Sequence, residues 1–202
     1  MLSFDVENHK YYWNNKEVPS VSQILKKIGI TRDYEQVDEY YRQRGVFVHQ
    51  AIQYYVKGTL DEESLDGENV LPYVRAFQDY EQGNRYVARK TEVPLYSEKY
   101  GFAGTIDQIG CFDTKYETDG ITDLKVTENS DKAADLQLCG YAVLYHENFG
   151  EWPAFRLALE LHGDKTAKPI FYKTNPQKLW EAVMVLYHWK VTRRSKHGSV
   201  SN

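Results

Sequence analysis

Two aspartates and a lysine carry the strongest chemical signal in this chain. Gly104-Thr-Ile-Asp107 is followed, sixteen positions after its aspartate, by Asp123-Leu-Lys125. That interval lets one strand finish and the next return, so the two carboxylates are expected side by side on neighbouring strands. Side chains alternate across a strand, which puts Asp123 and Lys125 on one face. Adjacent carboxylates repel unless a cation sits between them. An oxygen-rich cluster of this size suits Mg²⁺ or Mn²⁺, and a lysine beside it can hold a phosphate or orient a water. That is equipment for hydrolysing a phosphodiester. Two helical pairs accompany it. In Arg44-Gly-Val-Phe-Val-His49, Gly45 and His49 lie one turn apart. The glycine permits close approach of another backbone, and the imidazole can ligate a divalent metal. In Gln137-Leu-Cys-Gly-Tyr141, a carboxamide and a phenol project from one face. Taken singly, each group has an ordinary reading: strand-end acids with a salt-bridged lysine, a structural histidine, a core tyrosine.

The elements that must position these groups follow from periodicity. Residues 4–18 read as a small hairpin, and Ser20-Val-Ser-Gln23 is a capping box opening a short helix that stops at Gly29. A longer helix is expected from Asp33 to Lys57-Gly58, with Tyr34, Val37, Tyr41, Gly45, Val48, Ile52 and Tyr55 on one face. An acidic loop over 59–69 leads to a third helix from Val70 to Gln82, with Gly83 as its stop. Near-alternation of β-formers then predicts strands over 85–96, 101–112 and 120–127, and helical spacing returns over 131–148. Strands over 154–162 and 169–173 follow. Asn175-Pro176 opens a last helix with Leu179, Ala182, Val183 and Leu186 as its apolar face. The expected fold is α/β, a mixed central sheet flanked by helices. One domain over 1–202 is expected, with 1–30 as an N-terminal hairpin and helix appendage and 190–202 as a basic tail. That tail holds Arg193, Arg194 and Lys196; it reads equally as a phosphate-contacting arm or a solvated end.

Composition sets the outer limits. The chain has 202 residues, 42% apolar and 27% charged, enough for a real core. Net charge is −4, which argues against a polycationic nucleic-acid coat and leaves room for one local groove. No run approaches a membrane helix, and the first residues lack a secretory pattern, so a cytoplasmic setting is expected. Cys111 and Cys139 cannot supply a disulfide framework or the four thiolates of an iron–sulfur cluster. Seventeen tyrosines suit half-buried surfaces or, alternatively, stacking on bases.

In order, Gly45…His49, Gly104…Asp107, Asp123-Leu-Lys125 and Gln137…Tyr141 resemble the RecB-type branch of the PD-(D/E)XK nuclease superfamily. Val18-Pro-Ser-Val-Ser-Gln-Ile-Leu25 is similar to the opening of the phage- and mitochondrial-type exonucleases of that branch. The resemblance implies a restriction-endonuclease-like core and a Mg²⁺- or Mn²⁺-dependent deoxyribonuclease without an iron–sulfur cluster. His49, Asp107 and Asp123 would ligate metal, with the carbonyl of Leu124 as a further ligand. Lys125 would be the catalytic lysine, and Glu92, in Thr91-Glu-Val-Pro94, matches an acid that precedes the Gly-x-x-Asp element. Arg44, Gln137 and Tyr141 would contact DNA or support the site. Ile106 stands where the superfamily's nominal proline would precede the first aspartate. The implied activity is an exonuclease of phage or prophage type in DNA recombination, repair or degradation. It would act on single strands or duplex ends, with a recombination or single-strand-binding protein as partner. A structure-specific endonuclease and a non-catalytic DNA-binding recombination partner with a vestigial site are the alternatives.

Overall fold

The computed structural model describes residues 1–5, 8, 10–31, 38–65, 69–112, 119–126 and 133–197, with the side chains of 193–197 excepted. Its centre is a five-stranded sheet in the order β4 (Tyr86–Ser97), β5 (Phe102–Phe112), β6 (Gly120–Lys125), β7 (Arg156–Leu161), β8 (Ala167–Phe171). All neighbours are antiparallel except β6 and β7, which run parallel. A parallel pair needs a crossover, and α4 (Ala133–Phe149) supplies it. The central strands are buried on both faces: every residue of β7 is buried, and β6 is buried up to Lys125. That is why these strands read as apolar runs more than as strict alternation.

Two apolar layers cover the sheet. On one face α1 (Val21–Ile28), α4 and α5 (Pro176–His197) bury Ile24, Leu138, Leu144 and Trp180 against Phe102, Ile106 and Ile121. Trp180 is fully buried, 4.9 Å from the ring of Phe102. It also fits against Gly140, where a Cβ would come within 2.9 Å of the indole. On the other face α2 (Glu39–Val56) and α3 (Leu71–Asn84) pack Val48, Ile52, Val74 and Phe77 against Leu124, Leu157 and Leu159. A second, three-stranded sheet, β1 (Leu2–Asp5), β2 (Lys10–Trp13) and β3 (Lys16–Val18), turns at Asn14-Asn15, both with positive φ as a tight hairpin requires. It lies on β4 and β5: Trp13 stacks on Tyr96 at 4.3 Å, and the Ala103 N–H donates to the Pro19 carbonyl. No helix of the described residues is long and apolar enough to cross a membrane.

Several local expectations change. The hairpin over 4–18 is part of a three-stranded meander that begins at Leu2. The proposed start of α2 at Asp33, with Tyr34 and Val37, lies outside the described residues; the described helix begins at Glu39, with the Asp38 side chain accepting from the Tyr40 N–H. Tyr41, expected on the inner face, is exposed beside the Arg44 guanidinium. Gly83 does not stop α3. The helix runs through it and leaves at Arg85, whose φ of +53 makes the reversal while the Asn84 side chain satisfies the Tyr80 carbonyl. On α5 the buried stripe is Trp180, Val183 and Met184, and Leu186 is exposed. The expected stripe was rotated because it omitted Trp180, the largest side chain there. The backbone of 190–197 is helical, and the tail arginines and Lys196 lie outside the described side chains.

Candidate active site

The site forms where two strands part. β5 and β6 pair at Gly110↔Gly120, Ile109↔Ile121 and Gln108↔Thr122, and there the ladder ends. β6 continues along β7 as far as Lys125↔Glu160. One step beyond Gln108, Asp107 bridges the opening with its side chain: Oδ2 accepts from the Leu124 N–H at 2.7 Å. On the other side of β5, the β4 backbone turns left-handed at the same level without a break in register. Thr91 pairs with Gln108 and Val93 with Ile106, and Glu92 between them takes φ +51. A left-handed backbone is costly for any residue with a Cβ and is held here by the flanking ladder.

His49 comes down from α2 onto these acids. Its Nδ1 lies 3.7 Å from Glu92 Oε1 and 3.7 Å from Asp107 Oδ2, and Nε2 lies 3.2 Å from the Leu124 carbonyl. A carbonyl only accepts, so Nε2 carries the hydrogen and Nδ1 faces the carboxylates. Donor atoms of His49, Glu92 and Asp107 all lie within 4.8 Å of one another. The charges are mutually strained. Burial works to lower the His49 pKa, but Asp107, Glu92 and Asp123 outweigh it and hold it at about 9. Burial raises Asp107 to about 7, with the charges of Asp123 and Glu92 adding to it and His49 opposing. The cluster therefore holds protons where a dication would relieve the same repulsion.

Asp123 and Lys125 lie on the α4 side of β6. Asp123 is almost fully buried, and its Oδ2 takes the Lys125 ammonium at 2.7 Å. Lys125 Nζ also donates to Gln137 Oε1 at 2.8 Å, and Gln137 Nε2 donates to Tyr141 Oη at 3.0 Å. The glycine at 104 has a direct reason: a Cβ there would meet Leu144 Cδ1 and Tyr141 Cε1 at 3.0 Å, so its absence lets the tyrosine ring lie against β5. Burial first, then the Asp123 and Asp107 charges, raise the Tyr141 pKa well above the ordinary value, so the phenol stays protonated.

Seven of the expected residues thus meet around the fork: His49, Glu92, Asp107, Asp123, Lys125, Gln137 and Tyr141, with the Leu124 backbone between them. The Leu124 carbonyl faces His49, and Asp123 is outside the tight three-donor group. Arg44 does not join them. Five residues from His49 is about 140° around a helix; its guanidinium lies 5.0 Å from the centroid of Tyr41 and 4.9 Å from that of Tyr73. Arg156 escaped the sequence reading. It is buried at the start of β7 and donates to Asp135 at 2.9 Å and to the Thr174 carbonyl at 2.7 Å. It thereby pins the first turn of α4, from which Gln137 projects. A charged residue in front of Leu-Ala-Leu was the available signal.

No protein-family model matches the chain, and no curated protein matches it in sequence. Solved structures do match. A proposed exonuclease from Eubacterium rectale is 16% identical, with a TM-score of 0.58 over 100% of this chain and 89% of its own. LHK-Exo in complex with dAMP is 10% identical, with a TM-score of 0.48 over 89% of each chain. A second structure of LHK-Exo, an alkaline exonuclease from Laribacter hongkongensis, is 10% identical, with a TM-score of 0.44 over 90% of this chain and 94% of that one. The five-stranded mixed sheet between two helical layers is therefore the fold of the Eubacterium rectale structure.

Proposed function

We propose that the chain is a metal-dependent deoxyribonuclease of the RecB-type branch, an exonuclease of phage or prophage type acting in recombination, repair or degradation of DNA in a cytoplasmic setting. One nuclease domain over 1–202 is part of this reading. The observation that carries it is the fork between β5 and β6, with a nitrogen-and-carboxylate pocket on one side and Lys125 on the other. An imidazole Nδ1 with two carboxylates, strained by their own charge, fits Mn²⁺ or Mg²⁺. His49, Glu92 and Asp107 would hold the ion, with Asp123 and the Leu124 carbonyl adjoining. When bound, the cation would polarise the phosphodiester and activate a water. Lys125 donates to a phosphate oxygen as charge builds there. Gln137 holds the lysine in place, and Tyr141 fixes the carboxamide of Gln137.

Proton bookkeeping predicts the pH dependence. Below about 7 Asp107 keeps its proton, and below about 9 His49 keeps its second one. A cation must displace both, so Mn²⁺ affinity rises between pH 6 and pH 9 with release of protons. Calorimetry in buffers of different ionisation enthalpy reads this directly, and an affinity that stays flat over that range contradicts the ligand set.

The functional test is incubation with linear and covalently closed DNA in Mg²⁺ or Mn²⁺, with an EDTA control. α2 and α4 flank the site, which suits a strand entering from its end. Linear DNA should be consumed from its ends while closed circles survive. Rapid cutting of circles replaces the exonuclease with a structure-specific endonuclease, and inert binding leaves a recombination partner.

A further inference from the structure

Along β5 the side chains short of full burial are Thr105, Asp107 and the terminal Phe112. Thr105 and Asp107 are two apart and share one face of the strand, and both stay partly accessible on it. There the Thr105 hydroxyl meets the phenol of Tyr11, carried in by β2, at 2.7 Å. The rest of Tyr11 is packed away, with its ring 4.5 Å from Phe4 and in an apolar cluster with Val18 and Ala103. Burial, reinforced by the charges of Glu92 and Asp107, raises its pKa above the ordinary value, so it remains a donor.

Two hydroxyls carry two hydrogens, and the bond between them uses one. The other hydrogen has no acceptor among the described residues. It sits on the face of β5 that carries Asp107, two residues away, a step of about 6.7 Å along the strand. The acceptor that suits it is an anionic oxygen. Surrounded by the carboxylates of Glu92 and Asp107, an added lysine or arginine would pair with those acids; a neutral hydroxyl donates without being captured. We infer that Tyr11 and Thr105 together form a donor site for a backbone phosphate of the bound strand, next to the phosphate that is cleaved. The inference rests on the phosphodiesterase reading above and extends it to the N-terminal sheet, which thereby contributes to substrate binding.

The test is steady-state degradation of linear DNA in Mn²⁺ by the wild-type chain and by the double variant Tyr11→Phe with Thr105→Val, whose shapes preserve the packing. KM should rise about ten-fold, the worth of a hydrogen bond to a charged group, with kcat within about twofold. Replacing the phosphate adjacent to the cleaved one by a neutral methylphosphonate should raise KM for the wild type and leave the double variant unaffected. A merely structural role would lower the melting temperature and leave that contrast unchanged between the two proteins. A folded double variant with wild-type KM overturns the inference, as does a wild type indifferent to the methylphosphonate. If the double variant does not fold, the single variants and the wild-type methylphosphonate response decide. A wild-type chain that cleaves no DNA strikes the phosphodiesterase reading itself, whereas an active wild type beside a folded double variant of unchanged KM strikes only this inference.

Discussion

Lys125→Ala should degrade linear DNA roughly 10²–10³-fold more slowly than the wild type, with KM within about threefold, because the ammonium acts on charge that develops only as the bond breaks. The geometry makes the effect specific. Its ammonium is held between Asp123 at 2.7 Å and Gln137 at 2.8 Å, at the fork and partly open to solvent. Removing it leaves the nearly buried Asp123 without that cation, so a stability loss of about 1–3 kcal/mol accompanies the change. The two effects separate by assaying at a temperature where circular dichroism shows both proteins folded. A folded variant that cleaves at the wild-type rate removes Lys125 from the chemistry.

The second expected result concerns Glu92. Glu92→Gly should abolish measurable Mn²⁺ binding while leaving the fold as stable as the wild type or more so. Glutamate at φ +51 is strained, and glycine adopts that backbone freely, a relief of about 1 kcal/mol. A residue kept for folding would show the opposite sign, losing stability when removed. Glu92→Gln, which keeps the strain and the volume but lacks the charge, should weaken binding without the gain in stability. Calorimetry of Mn²⁺ binding beside denaturant midpoints for both variants reads the outcome. Full metal affinity in Glu92→Gly would return the ligand role to Asp123.

Most of the architecture was legible in the chain because its signals are local. The capping box at Ser20 and Gln23, the stop at Gly29, the start at Asn175-Pro176 and the β-rich runs around Asp107 and Asp123 all report on neighbours in sequence, and the corresponding elements form close to their expected bounds. The 3-to-4 spacing that joins Gln137 to Tyr141 is equally local, and their side chains meet at 3.0 Å. Misplaced boundaries arose where a local rule met a competing side chain. Gly83 carried the signal of a helix stop, but Asn84 and Arg85 completed the turn two residues later.

The site itself depended on where strands separate, and no spacing encodes that. Sixteen residues between Asp107 and Asp123 establish that the chain returns; they do not establish that the β5–β6 ladder ends at Gln108↔Thr122. That end point lets the Asp107 carboxylate take the Leu124 N–H, and it separates the tight donor group of His49, Glu92 and Asp107 from the Asp123–Lys125 pair. It follows from the balance of long-range pairings along β4, β5, β6 and β7, with the β4–β5 register shifting between Ala88 and Lys90. The same holds for Tyr11, which lies 94 residues from Thr105 in sequence and meets it only because the N-terminal sheet closes over β5. Residue types and local periods determined which chemistry this chain could carry. The register of its strands decided which of those groups meet, because a carboxylate becomes a ligand only through neighbours that the fold brings within reach.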